Sequence, residues 1–190
     1  MAEAVILTSG NGSNFQAICE AVSETEHKIA AMICNKKDAY SFVRAEKLGI
    51  PAYHVSYLGR DRKDAEKEID ELLTRLHPDL IVLAGFMKLL SPEMTKKYEG
   101  KIINIHPALL PKYPGTHGIE ESFASSDKEL GVTVHYVDAG MDTGKVIRQK
   151  SFVRTGLESL DEIETRIHAC EHEIYPQVVI ELLNRLEEEK

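Results

Sequence analysis

The feature that most restricts the fold of this chain is an alternation of short apolar runs with longer segments of helical periodicity. Ala4 to Ser9, Ile29 to Cys34 and Leu80 to Ala84 are nearly unbroken apolar runs, a shorter extended piece covers Ala52 to Val55, and Lys101 to His106 reads as a further strand. Runs this short and this apolar are what parallel strands look like when helices cover both faces of their sheet. The helical signals lie between them. Phe15, Ile18, Cys19 and Val22 recur at helical spacing, and Ser41 to Leu48 is closed by Gly49 with Pro51 just beyond. Ala65, Ile69, Leu72, Leu73 and Leu76 make one apolar stripe on a charged helix starting near Asp61. Ser91-Pro92-Glu93 places an N-cap before a proline at the first helical position, so a short helix runs to Tyr98 and ends at Gly100. The pattern predicts an α/β fold with an open, mostly parallel sheet and helices on both faces.

The second half departs from strict alternation. Pro107, Pro111 and Pro114, with Gly115 and Gly118, forbid regular structure from Pro107 to about Gly118, and a loop that long in a compact domain is more often functional than idle. Val132 to Val137 alternates as a strand, Asp138 to Gly144 is turn-rich, and Val146 to Val153 reads as an antiparallel partner because no helix fits between the two. A capping box, Ser159 to Glu162, opens a final helix that continues to about Leu186 with a kink expected at Pro176.

At 190 residues the expectation is one domain, residues 1–190. Lys and Arg total 23 against 31 Asp and Glu, and the net charge of −8 argues against a protein held by nucleic-acid phosphates. No stretch approaches the roughly 18 apolar residues of a membrane span, and the first nine residues lack a charged signal-peptide n-region, so a cytoplasmic protein without a membrane partner is expected. Cys19, Cys34 and Cys170 form no C-x-x-C pair and read as buried reduced thiols.

Sheets of this kind bind ligands at the carboxyl ends of their strands, so the loops after Ser9, Ala84, His106 and Val137 are expected to line one cleft. Gly10-Asn11-Gly12-Ser13-Asn14 sits between a first strand and a helix, where backbone N–H groups can close on an anion. Phe15 replaces the third glycine of a dinucleotide fingerprint, and Lys36-Lys37-Asp38 offers no single ribose-binding acid, so a phosphate monoester fits better than NAD. The alternative is a glycine-rich turn that merely starts a helix.

Asn104 and His106 project to one face of their strand while Ile105 packs into the other. They are either a hydrogen-bonded strand end or two side chains aimed together at a substrate. Asp138 and Asp142 bracket Gly140 in a loop that can approach the same rim; a carboxylate beside an imidazole favours its charged form, although either Asp can serve simply as a turn residue. His168-Ala169-Cys170-Glu171-His172 matches the H-x-x-E-H zinc signature, but no third ligand is in view, so no metal is expected and Glu171 reads as a cleft-facing carboxylate or a solvated helix residue.

Taken together, the segments 10–14, Leu83-Ala84-Gly85-Phe86-Met87, Asn104-Ile105-His106-Pro107-Ala108-Leu109-Leu110-Pro111, Tyr113-Pro114-Gly115, Gly131-Val132-Thr133-Val134-His135 and Asp142-Thr143-Gly144 resemble the folate-dependent formyltransferases. The first of these segments is similar to the branch that formylates glycinamide ribonucleotide in purine synthesis. The resemblance spans nearly the whole chain. It implies a Rossmann-like formyltransferase fold, a cytosolic enzyme, 10-formyltetrahydrofolate as formyl donor, small-molecule substrates only, and a monomer or homodimer. It also implies that Asn104, His106 and Asp142 are catalytic, that Gly12, Ser13 and Asn14 hold the acceptor phosphate, and that Glu171 lies near the acceptor. Arg62, the segment Met87, Lys88, Leu89 and Leu90, and the loop Val137, Asp138, Ala139, Gly140 and Met141 would face the folate. Neither an added N-terminal regulatory domain, as in a formyltetrahydrofolate hydrolase, nor the extra basic domain of a tRNA formyltransferase is expected in a chain of 190 residues with a net charge of −8. A non-catalytic nucleotide-binding module would need no Asn104, His106 and Asp142 together.

Overall fold

The computed structural model describes all 190 residues. Seven strands and six helices follow in the order β1 (Glu3–Thr8), α1 (Ser13–Ser23), β2 (Lys28–Cys34), α2 (Ser41–Leu48), β3 (Ala52–His54), α3 (Arg62–Leu76), β4 (Leu80–Leu83), α4 (Pro92–Lys97), β5 (Ile102–His106), α5 (Gly118–Ala124), β6 (Glu129–Tyr136), β7 (Val146–Val153) and α6 (Leu160–Glu188). The strands form one sheet in the order β3-β2-β1-β4-β5-β6-β7. The first five are mutually parallel, while β6 runs antiparallel to β5 and β7 antiparallel to β6. The chain builds outward from β1 to β3, returns to β4 on the other side of β1, and builds outward again. Such a reversal opens a crevice beyond the strand ends.

Two apolar layers hold the sheet. On one face Ile6, Val82, Ile103, Ile105 and Val132 join residues of α1 and α6, among them Phe15, Ile18, Ile174 and Val179. Tyr175 of α6 is fully buried there, and its hydroxyl donates to the carbonyl oxygens of Leu83 (2.8 Å) and Ile103 (3.3 Å), which ties the helix to β4 and β5. On the other face Val5, Leu7, Ile81, Leu83 and Ile102 pack with Ala65, Ile69 and Leu73 of α3 and Met94 of α4. This second layer includes no residue of β6 or β7, so the far half of that face has no helix over it. The capping signals act as expected: Ser91 Oγ accepts the Met94 N–H, Pro92 opens α4, and Ser159 and Glu162 form the capping box of α6. The three cysteines are free and buried, and burial pushes the Cys19 thiol up to about 12.

Three of the differences from the sequence expectation lie at α5, β3 and β6. The seven-residue α5 follows the proline loop, where no helical period could be read in so short a segment. β3 stops at His54 rather than Val55. α6 remains one helix through Pro176, whose missing N–H removes a single rung of the ladder. β6 begins at Glu129, three residues earlier than its alternation suggests, because Gly131 is part of the strand and not a break before it. A Cβ at Gly131 would stand 2.1 Å from the Lys150 carbonyl oxygen of β7, so only glycine lets the two backbones approach.

The antiparallel turn also corrects the expected grouping of loops. Loops after β1, β4 and β5 leave one rim, but β6 ends beside the start of β5, where the Val137 N–H bonds the Ile102 carbonyl at 2.9 Å. The loop from Val137 therefore starts at the opposite end and reaches the site by folding back along the uncovered face. Gly131→Ala should destabilise the fold by about 1–3 kcal/mol through overpacking at β6 and β7, read as a lower urea midpoint; an unchanged midpoint would mean the strands can part at no cost.

Candidate active site

The floor of the site is the uncovered stretch of β5 and β6. Asn104 pairs with His135 and His106 with Thr133 across the antiparallel ladder, so the period-two alternation of both strands puts these four polar side chains on one face, with Ile105 and Val134 in the apolar layer behind. His135 was not singled out from the sequence, although a polar residue alternating with Val132 and Val134 in a buried strand was a usable signal. Its Nδ1 donates to the Tyr136 carbonyl (2.8 Å), which leaves Nε2 bare to accept the Asn104 amide N–H at 3.3 Å. Burial pushes the His135 pKa down and favours this neutral state, against the pull of Asp142. One of the two amide hydrogens of Asn104 is thus committed, and the amide is oriented.

His106 is held differently. Its Nε2 lies 2.6 Å from the carbonyl oxygen of Tyr113, which can only accept, so Nε2 carries a hydrogen. Its Nδ1 faces Asp142 Oδ2 at 3.5 Å. An imidazole with Nε2–H already spent can present a second N–H at Nδ1 only as imidazolium. Asp142 adopts φ 54°, in the left-handed region that Asp tolerates, and its Oδ2 accepts the Gly115 N–H at 2.8 Å. The two aspartates of this loop have separate work. Asp138 Oδ1 accepts from Thr143 Oγ1 (2.6 Å) and the Gly140 N–H (3.0 Å) and holds the turn, whereas Asp142 faces both His106 and His135.

Above this floor lies an open cleft with apolar and polar side chains in its lining, the kind of concavity that takes small-molecule ligands. One wall is the loop after β4, including Met87, Lys88, Leu89 and Leu90; the other is the Val137 loop, including Asp138, Gly140 and Met141. Met87, Leu89 and Met141 are exposed apolar side chains at its mouth. Ser9 braces the first wall, since its N–H bonds the Gly85 carbonyl and its Oγ accepts the Met87 N–H at 2.8 Å. Two residues expected to face the folate lie outside this lining. Arg62, in the first turn of α3, stands 3.9 Å from the buried carboxylate of Glu66, which itself accepts the Ser91 N–H; Ala139 sits in the loop but not on its inner side.

The glycine loop forms a second part of the site rather than a wall of the cleft. Gly12, with φ 77°, caps α1, and Gln16 N–H is the first to enter the helix ladder, bonding the Gly12 carbonyl. The N–H groups of Ser13, Asn14 and Phe15 are left at the positive helix end, the arrangement that suits an anion. Arg44 of α2 clamps the loop through Asn11, donating to its carbonyl (2.9 Å) and side-chain oxygen (2.8 Å). A Cβ on Gly12 would stand 2.7 Å from Ser41 Cβ, so this glycine is also required by packing against α2. From α6 the buried Glu171 accepts from Asn14 Nδ2 (3.0 Å) and pairs with His168 Nδ1 (2.9 Å). The H-x-x-E-H segment therefore spends its first histidine on its own glutamate.

The hydrogen bond to Glu171 holds the His168 pKa above the ordinary 6.5, against partial burial. A raised folded-state value means stabilisation that is complete below 6.5 and lost as pH rises through the raised value. His168→Gln should accordingly lower the melting temperature more at about pH 5.5 than at about pH 9; an equal loss at both would show that the His168 charge does not contribute.

Comparison with known proteins agrees with this arrangement. Residues 2–179 match the family model described as formyl transferase. The chain is 43% identical over 187 residues to the phosphoribosylglycinamide formyltransferase of Bacillus subtilis (strain 168), covering 96% of this chain and 95% of that protein. It is 40% identical to the protein of the same name from Escherichia coli (strain K12), covering 92% and 84%. Among solved structures, glycinamide ribonucleotide transformylase 1 from Geobacillus kaustophilus matches with a TM-score of 0.91 at 41% identity, over 96% of this chain and 99% of that one. The phosphoribosylglycinamide formyltransferase from Streptococcus pneumoniae TIGR4 matches at 0.89 and 41%, with the same coverage. A match across nearly the full length in sequence and in fold leaves one conclusion: this chain belongs to the formyl transferase family.

Proposed function

We propose that the chain transfers the formyl group of 10-formyltetrahydrofolate to the amine of glycinamide ribonucleotide in de novo purine (IMP) biosynthesis, as a cytoplasmic enzyme acting through one formyltransferase domain. The observation that carries the reading is the convergence of Asn104, His106 and Asp142 on the floor of a cleft that a glycine loop adjoins. The cleft fits a folate: apolar side chains at its mouth suit the aromatic body, and the backbone of the Val137 to Met141 loop offers donors and acceptors for a pterin edge. When bound there, 10-formyltetrahydrofolate supplies a formyl carbon that the acceptor amine attacks.

The attack turns the formyl oxygen into an oxyanion, and donors already in place stabilise it without reorganisation. The free amide hydrogen of Asn104 and the Nδ1–H of imidazolium His106 are those donors, and the tetrahedral intermediate is stabilised between them. Asp142 orients His106 and is the candidate to take the proton that the attacking nitrogen loses and return it through water to the departing folate nitrogen. Ser13 and Asn14, with Gly12 setting the turn, hold the phosphate far from the reacting amine, so binding energy is drawn from a remote part of the acceptor. Glu171 carries the wall beside Asn14 and faces the acceptor between these two ends. The mechanism calls on no metal.

Steady-state turnover with both substrates tests the assignment directly, and activity should survive a chelator; loss restored by zinc would bring His168 and His172 back as ligands. His106→Ala and Asp142→Asn should each lower kcat by about a hundredfold or more while acceptor affinity changes little, because both act mainly on the transition state. A variant that turns over at the normal rate would remove its residue from the mechanism. An acceptor lacking its phosphate should lose about a hundredfold in kcat/KM through the missing remote contact; equal efficiency would place the phosphate away from the glycine loop.

A further inference from the structure

Two non-glycine residues at this site adopt left-handed backbone conformations, Asp142 at φ 54° and Tyr113 at φ 55°. The first is an ordinary use of aspartate, but a bulky aromatic residue there is a strained exception that persists only where its surroundings enforce it. The surroundings are specific. The Tyr113 hydroxyl donates to Asp127 Oδ2 at 2.7 Å, and the Tyr113 carbonyl accepts from His106 Nε2 at 2.6 Å. Asp127 sits in the turn between α5 and β6, where Ser125 Oγ accepts the Asp127 N–H at 3.1 Å. Arg154, just past β7, fixes that turn by donating to the carbonyls of Phe123 (2.6 Å) and Ser125. The loop from Pro107 to Gly118 is thus pinned at its aromatic side chain to a braced turn and at its backbone to His106.

We propose that Tyr113 and Asp127 are positioning residues for the formyl transfer, the hydroxyl-to-carboxylate tether holding the left-handed Tyr113 backbone so that its carbonyl keeps hydrogen on His106 Nε2 and turns Nδ1 toward Asp142 and the cleft. The proposal rests on the reading of His106 as a transition-state donor. Without the tether the strained residue relaxes, the carbonyl leaves the ring, and the imidazole is free to rotate or exchange tautomers. Lys112 also binds Asp127, at 2.7 Å, but its ion pair is exposed and plays no part in aiming the carbonyl.

Tyr113→Phe, Asp127→Ala, Asp127→Asn and Lys112→Ala separate these contributions. Tyr113→Phe and Asp127→Ala should lower kcat by about tenfold with KM for both substrates within about twofold, the signature of a group misplaced in the transition state. Asp127→Asn keeps an oxygen that accepts the tyrosine hydroxyl and should restore kcat, and Lys112→Ala should leave it unchanged. Ring-nitrogen NMR of labelled histidine, recorded at a pH high enough to remove the second ring proton and with the His106 signals identified by their loss in His106→Ala, should find the remaining hydrogen on Nε2 in the unmodified protein and a tautomer mixture in Tyr113→Phe. Should Tyr113→Phe fail to fold, Asp127→Ala carries the same two readouts. An unchanged ring signature, an unchanged kcat, or failure of Asp127→Asn to restore what Asp127→Ala loses would overturn the proposal. Near-normal turnover in His106→Ala would instead sink the reading of the reaction, and the ring signature would then decide the tether on its own.

Discussion

The site depends on a reversal of chain direction. After five parallel strands the sheet is extended by two antiparallel ones, and the connection from β6 to β7 is a loop rather than a helix. A parallel crossover would have laid a helix over β5 and β6. Its absence leaves Asn104, His106 and His135 on a sheet face with no helix over it, polar side chains standing on rigid strands in the lining of the cleft. Catalytic groups carried by strands are held more precisely than groups carried by loops. Only Asp142 arrives on a loop, and that loop is pinned by Asp138 at its turn and by the Gly115 N–H at Asp142 itself.

Two histidines on adjacent strands share this carboxylate yet are given different partners. His135 is buried, spends Nδ1–H on the Tyr136 carbonyl and offers a bare nitrogen to Asn104, all of which favour the neutral ring. His106 meets a carbonyl on one nitrogen and a carboxylate on the other. The difference arises from partners, not from distance to Asp142, which is 3.5 Å for one and 3.6 Å for the other. A neutral ring can orient an amide; a charged one can stabilise an anion.

Most of the framework was legible because its signals are local. The all-apolar Leu80 to Leu83 has to lie between two layers, and Ser91-Pro92 can hardly be anything but a helix start. Asn104 and His106 were readable as a pair because strand alternation puts i and i+2 on one side. What escaped depends on contacts between distant segments. Gly131 looks like a break until the Lys150 carbonyl is seen against it, and the roles of Asp138 and Asp142 separate only once the Val137 loop is folded over β5. The setting of Arg62 is hidden for the same reason: nothing local reveals that Glu66, one turn on, is buried and turned toward Ser91. His135 was hidden in plain alternation, its purpose visible only from the register that sets it opposite Asn104.

The long helix α6 has a consequence for selectivity. Glu171 and Tyr175 are one turn apart on the same side of the helix, the first bonded to Asn14 of the glycine loop and the second to the carbonyls of Leu83 and Ile103 beneath the cleft. The spacing between the anion end of the site and the reacting end is therefore fixed by one helix lying across one sheet, with no hinge between them. Such a frame behaves as a ruler. For the transfer proposed above, it would discriminate among amines less by their chemistry than by the span between charge and nucleophile, so a shorter or longer molecule bearing the same two groups would seat one and miss the other.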